Sequence, residues 1–136
     1  MSSWLFKTDP DTYSWHDLKA KSKEVWDGVK NPLALKHLRS VKAGDEILIY
    51  HTGADKAIVG IAQALSAAYP DPQDKTGKLF VVDLAPVKDF PKSVSLSAVK
   101  SKPALKGWEL VRMSRLSVMP VSSQVRKILF ELGGKK

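Results

Sequence analysis

The sequence predicts a mixed, mostly β domain: a small, strongly curved α+β barrel with short flanking helices. Three observations lead there. Apolar, β-rich runs alternate with short capped helical stretches, without the regular strand–helix–strand repeat of a doubly wound sheet. Gly60 sits inside one of those runs, where small barrels bulge or bend to close. A chain of 136 residues with 43% hydrophobic content forms one core and not two, so a single domain is expected over 1–136.

Taken in order, Trp4 to Thr8 reads as a first strand that Asp9-Pro10-Asp11 stops. Ser14 followed by Asp17 makes a capping pattern for a short helix over Trp15 to Lys21. Asn31-Pro32 starts another helix, since asparagine caps well and proline loses nothing at the first helical position. Ala34, Leu35 and Leu38 give it an apolar face, and Lys42-Ala43-Gly44 ends it. Asp45 to His51 reads as a buried strand, and Ala57 to Leu65 as the next one after a turn. Tyr69-Pro70-Asp71-Pro72 is a rigid corner, and Leu79 to Leu84 a further strand that continues toward Val87. Ser95 and Ser101 are expected to open short helical turns before Pro103. Leu110 to Met113 and Leu116 to Val118 read as short strands. Ser122 caps a last helix that runs to Leu132 and ends at Gly133-Gly134.

Composition narrows the chemistry. The chain has no cysteine, which excludes disulfides, thiolate metal sites and a cysteine nucleophile. Its three histidines, His16, His37 and His51, lack ligand-like spacing, so neither metal nor cofactor is expected. The start of the chain carries no secretory pattern and no run is long enough to span a bilayer, so the expected setting is cytoplasmic, away from membranes. With 22 Lys+Arg against 14 Asp+Glu, the net charge of +8 attracts phosphate polyanions, although a solubilising surface would look the same. No phosphate-binding loop, dinucleotide fingerprint or nucleophile elbow occurs, and no acidic pair shows general-acid spacing.

What remains is a set of aromatic and polar residues at the ends of segments. Trp26 lies in a loop before the Asn31 helix, Tyr50 and His51 end a strand, and Tyr69 occupies the proline corner. Aromatic faces in a concave site stack on planar bases for about 1–3 kcal/mol each, but Trp26 and Tyr69 fit core or rim packing equally well. Asn31 has its capping role, which its backbone can combine with lining a cleft. Trp4, Phe6 and Trp108 read as packing residues. Arg112 and Arg115 are candidate phosphate contacts, or else decorate a solvated face.

The blocks that carry these residues resemble a known family. Trp4-Leu5-Phe6-Lys7-Thr8-Asp9-Pro10 is similar to the W-L-F-K-[ST]-E-P opening of EVE domains, and Trp26-Asp27-Gly28-Val29-Lys30-Asn31 to their W-[DE]-G-V-[RK]-N segment. Ile49-Tyr50-His51-Thr52 resembles F-Y-H-S, and Ala68-Tyr69-Pro70-Asp71 resembles A-Y-P-D. Arg115-Leu116-Ser117-Val118-Met119-Pro120-Val121 matches R-L-S-V-x-P-V. The blocks follow family order over nearly the whole chain, and the departures, Asp9 for Glu and Thr52 for Ser, keep the chemical class.

The resemblance implies a PUA-like fold, related to the YTH readers of methylated adenosine. By that analogy Trp26 matches a cage tryptophan, Asn31 the asparagine that meets the base edge, and Lys7-Thr8 the backbone beside the base, with Tyr69 as a second wall. The implied base pocket comprises Trp26, Asn31, Tyr69, Lys7, Thr8, Gly28, Val29, Tyr50 and His51, with Ser114 and Ser117 as polar support. Arg112, Arg115 and Lys30 are then expected on phosphates. The leading expectation is a non-enzymatic module that binds nucleic acid carrying a modified base, with room for a nuclease partner encoded elsewhere. An enzyme using His51 as acid or base, or a small-molecule or protein-interaction module, are the alternatives.

Overall fold

The structure is a computed structural model and describes residues 1–134. Its framework is a mixed sheet built outward from β1 (Ser3–Thr8). β1 runs parallel to β3 (Glu46–His51) on one side and antiparallel to β7 (Val118–Val121) on the other. β3 pairs antiparallel with β4 (Ala57–Ala64), β4 with the long β6 (Phe80–Ser95), and β6 with β2 (Glu24–Trp26). The order is therefore β2-β6-β4-β3-β1-β7, with β5 (Tyr69–Pro70) added on β6.

A parallel pair needs a crossover. The β1–β3 connection supplies it and carries α1 (Trp15–Lys19), β2 and α2 (Pro32–Leu38). α2 packs on both β6 and β7, bridging the two sides of the curled half-barrel. α3 (Leu96–Lys100), α4 (Glu109–Arg112) and α5 (Ser123–Leu132) complete the five short α-helices among the described residues.

Local chemistry sets most helix starts. Ser14 and Asp17 form a reciprocal capping box, the Asp17 N–H donating to Ser14 Oγ at 3.0 Å and the Ser14 N–H to Asp17 Oδ2 at 2.8 Å. Asn31 Oδ1 accepts from Leu33 and Ala34, while Ser95 and Ser122 cap α3 and α5. Gly60 sits where the β4–β6 register shifts, and the ring of Trp15 lies against it so closely that a Cβ there would overlap the indole. Phe6, Leu48, Ile49, Leu84 and Met119 are sealed inside. Each large apolar side chain buried in this way contributes about 1.5–3 kcal/mol.

Four expectations are corrected. α2 ends at Leu38, because the chain turns through His37–Ser40 and Leu38–Val41 hydrogen bonds before reaching Gly44. β6 passes through Pro86 and Pro91 instead of fading near Val87; its pairing with β4 shifts register twice, and such irregularities tolerate residues without an N–H. Leu110 to Met113 is not a strand: Val111 and Arg112 N–H groups bond to Trp108 O and Met113 N–H to Glu109 O, closing helical turns, and β7 begins only at Val118. Ser101 caps the end of α3 and opens nothing.

Candidate functional site

β1 and β2 end side by side, and a cavity of about 530 Å³ opens between their C-terminal residues. Lys7 and Thr8 contribute from β1, Glu24 and Trp26 from β2, Tyr13 from the turn before α1, and Ser117 from the approach to β7. Strand alternation explains the β2 contribution: Glu24 and Trp26 sit opposite Leu84 and Val82, both core residues, while Val25 points outward opposite Asp83. Gly28 and Val29 close the wall after β2, and Gly28 adopts φ +78°, a left-handed turn that favours glycine.

Trp26 is only 7% exposed. One side of its ring rests on Phe6, with centroids 5.7 Å apart, and Tyr13 meets it edge-on at 6.1 Å and 79°. It is thus a core residue and a cavity wall together. Its indole N–H is the informative atom. Trp4, Trp15 and Trp108 donate theirs to Asp45, Asp89 and the Pro120 carbonyl, whereas the Trp26 N–H has no partner among the described residues and is not sealed from solvent. A donor held beside a cavity without a partner is capacity for a ligand.

The other walls are polar. The Lys7 ammonium donates to the Ser114 carbonyl at 2.9 Å and lies 5.8 Å from the Tyr50 ring centroid, with no carboxylate pairing it among the described residues. Partial burial draws its pKa down. Thr8 donates its hydroxyl to the Tyr13 carbonyl at 2.6 Å, and the Tyr13 hydroxyl donates to Glu24 Oε2 at 2.9 Å. Lys21 also donates to that oxygen, at 3.0 Å, and holds the Glu24 carboxyl below its usual range against the opposing effect of burial. Burial, with the bond to Glu24, pushes the Tyr13 hydroxyl up.

Of the expected base-pocket residues, Lys7, Thr8, Trp26, Gly28 and Val29 come together here, with Ser117 from the expected support. Tyr69 does not. It pairs with Val81, one residue out of phase with Val82 opposite Trp26, so the two aromatics face opposite sides of the sheet. Its hydroxyl donates to Asp83 at 2.6 Å, and that bond holds its pKa at about 12. Tyr13 occupies the place expected for Tyr69. Asn31 is also displaced: its side chain caps α2, and the residue lines a separate cleft of about 360 Å³ with Arg112, Ser114 and Arg115. Lys30 is exposed on the loop between cavity and cleft.

Tyr50 is buried behind Lys7 and does not line the cavity. His51 is likewise buried elsewhere, its Nε2 accepting the Trp15 N–H at 2.8 Å. The ring proton therefore sits on Nδ1, 3.0 Å from Asp55 Oδ2. Tyr13 and Glu24 escaped the sequence reading. Glu24 was accessible in principle, lying two residues from Trp26 and hence on the same strand face. Tyr13 carried no such signal, since only the turn geometry brings it to Trp26.

The model of one protein family, the EVE domain, matches residues 2–132. The chain belongs to that family. Its curled half-barrel is the PUA-like architecture expected from the sequence. Among solved structures, Rpa0253 from Rhodopseudomonas palustris is 40% identical with a TM-score of 0.93, covering 98% of this chain and 94% of that one. Human thymocyte nuclear protein 1 is 28% identical over 99% of this chain and 75% of its own length. The crystal structure of that human protein in complex with DNA containing 5-methylcytosine superposes with a TM-score of 0.90 over 100% of this chain and 99% of that one, at 28% identity. No helix among the described residues of this EVE domain is long and apolar enough to cross a membrane, and no cluster of potential metal ligands occurs among them.

Proposed function

We propose that this EVE domain is a non-enzymatic reader of DNA carrying a modified base. The cavity at the ends of β1 and β2 takes one unstacked base against Tyr13, and Lys7 and the in-plane N–H of Trp26 hydrogen-bond its edge. Arg112, Arg115 and Lys30 contact the phosphates next to it. The unpartnered indole N–H in an otherwise satisfied set of tryptophans is the observation that carries this reading. The human relative solved with 5-methylcytosine-containing DNA supports the choice of ligand. The engagement of both His51 ring nitrogens away from the cavity favours a reader over an enzyme using that histidine.

The test is a set of anisotropy titrations with oligonucleotides that differ only in one 5-methylcytosine or cytosine, single- and double-stranded. Preferential binding of the methylated strand is expected. Trp26→Phe, which keeps an aromatic wall and removes the N–H, should weaken it by roughly 2- to 10-fold, the value of one hydrogen bond. Equal affinity for both oligonucleotides overturns the reading.

A further inference from the structure

The cavity holds a second feature that a purely aromatic cage does not need. Glu24 shares the inner face of β2 with Trp26, and its two oxygens are unequally engaged. Oε2 takes the Tyr13 hydroxyl at 2.9 Å and Lys21 at 3.0 Å, whereas Oε1 takes only its neighbour's Val25 N–H at 3.2 Å. Tyr13 and Lys21 therefore hold the carboxylate in place and leave one oxygen with room to accept. Two donors line the same cavity: the Lys7 ammonium from β1, and the indole N–H of the nine-tenths-buried Trp26, two residues along β2 from Glu24 and without a partner among the described residues. Two donors and one anionic acceptor around a single cavity describe the edge of the ring they would fit.

We infer that Glu24 sets the base specificity of this cavity, selecting a ring with an exocyclic amino group beside a ring acceptor and so separating 5-methylcytosine from thymine. The inference rests on the reading of the cavity as a base site and goes one step beyond it. The two bases share their size, their flatness and their 5-methyl group, so neither stacking nor a methyl contact can tell them apart. They differ in hydrogen bonding. 5-Methylcytosine presents an N4 amine, which donates to a carboxylate, beside N3 and O2, which accept from Lys7 and Trp26. Thymine presents O4 where the amine was, and a carbonyl oxygen facing a carboxylate oxygen gains no bond and meets like partial charge. The pair matters chemically because deamination converts one base into the other. The depressed pKa of Glu24 is consistent with the role, since it keeps the carboxylate ionised.

The experiment compares dissociation constants for oligonucleotides with 5-methylcytosine, thymine or N4,N4-dimethyl-5-methylcytosine at one position. The wild-type protein should prefer 5-methylcytosine over thymine by on the order of 10-fold or more, typical of a good base-edge contact. It should discriminate comparably against the dimethylated base, which has lost both amino hydrogens; that arm needs no variant to fold. Glu24→Gln, which keeps the shape and can present an amide N–H to O4, should bring the thymine ratio within about twofold of unity by removing that contact. Its preference for 5-methylcytosine over cytosine should persist. Tyr13→Phe, which frees the carboxylate to move, should lower the thymine ratio part-way. A wild-type protein that binds thymine and 5-methylcytosine alike, or a Glu24→Gln variant that keeps the wild-type ratio, overturns the inference while leaving the reader proposal standing. Failure to prefer 5-methylcytosine over cytosine overturns the reader proposal itself.

Discussion

The two ends of β1 carry two cavities with opposite characters. Beside Ser3 and Trp4 lies the larger, about 780 Å³, lined by Trp4, Trp108 and Arg126. Its two indole N–H groups and its guanidinium are engaged: Trp4 donates to Asp45 at 2.9 Å, Trp108 to the Pro120 carbonyl at 3.0 Å, and Arg126 to both oxygens of Glu46 at 2.7 and 3.0 Å. Beside Lys7 and Thr8 lies the smaller, about 530 Å³, where, among the described residues, the Trp26 N–H has no partner and Lys7 no carboxylate. Volume measures space alone. Unengaged hydrogen-bonding capacity, which costs stability unless a ligand or water meets it, is the better mark of a binding site.

The largest effect is expected at the packing end. Trp108→Ala should cost about 3–5 kcal/mol in chemical denaturation, by cavity formation, while DNA affinity per folded molecule is unchanged. An affinity loss there would mean that the larger cavity also binds. Trp4→Phe removes one donor from Asp45 and should cost about 1–3 kcal/mol of stability, again without touching affinity.

The same variant sharpens a pH effect. Burial alone would raise the Asp45 carboxyl, but N–H donors from Lys42, Ser2 and Trp4 outweigh it and hold the group below its ordinary 3.8. A depressed folded-state pKa contributes stability that is present above the unfolded value and lost as pH falls through the folded one. Thermal melts should therefore show stability declining from about pH 4 downward, with a shallower decline in Trp4→Phe. At the cavity end, by contrast, Trp26→Phe should register mainly in affinity. The smallest effects belong to the rim: Arg112→Ala or Arg115→Ala should weaken methylated and unmethylated DNA alike and reduce the slope of log affinity against log salt by about one each. An unchanged slope would place phosphates elsewhere on this basic surface.

Features governed by a few adjacent residues were legible before any fold was known. The capping box at Ser14-Asp17, the Asn31-Pro32 helix start and the Ser122 cap all act within three or four residues, and all occur as read. The apolar runs around β1, β3 and β4 were equally clear, because each is buried for most of its length. Short segments were not: the four residues of α4 satisfy a strand pattern as well as a helical one, and hydrogen bonds to Trp108 and Glu109 decide between them.

By itself, then, the sequence determined the family, a mixed and curved sheet, and half of the cavity: Lys7 and Thr8, Trp26 with the two residues of its turn, Gly28 and Val29, and Ser117. All but Ser117 belong to the ends of β1 and β2, and local chain geometry brings each group to its place. Which aromatic faces Trp26 was decided only by tertiary structure. Tyr69 and Trp26 are both neighbours of β6, yet their partners there, Val81 and Val82, are one residue apart, and in a strand that single step turns a side chain to the opposite face. Tyr13, thirteen residues before Trp26 and in another element, reaches the cavity through the Asp9 turn and the Thr8 bond to its carbonyl. Asn31 shows the same limit from the other side: its cap was readable, but the cleft it lines, shared with Arg112 and Arg115, depends on where α2 packs against β7.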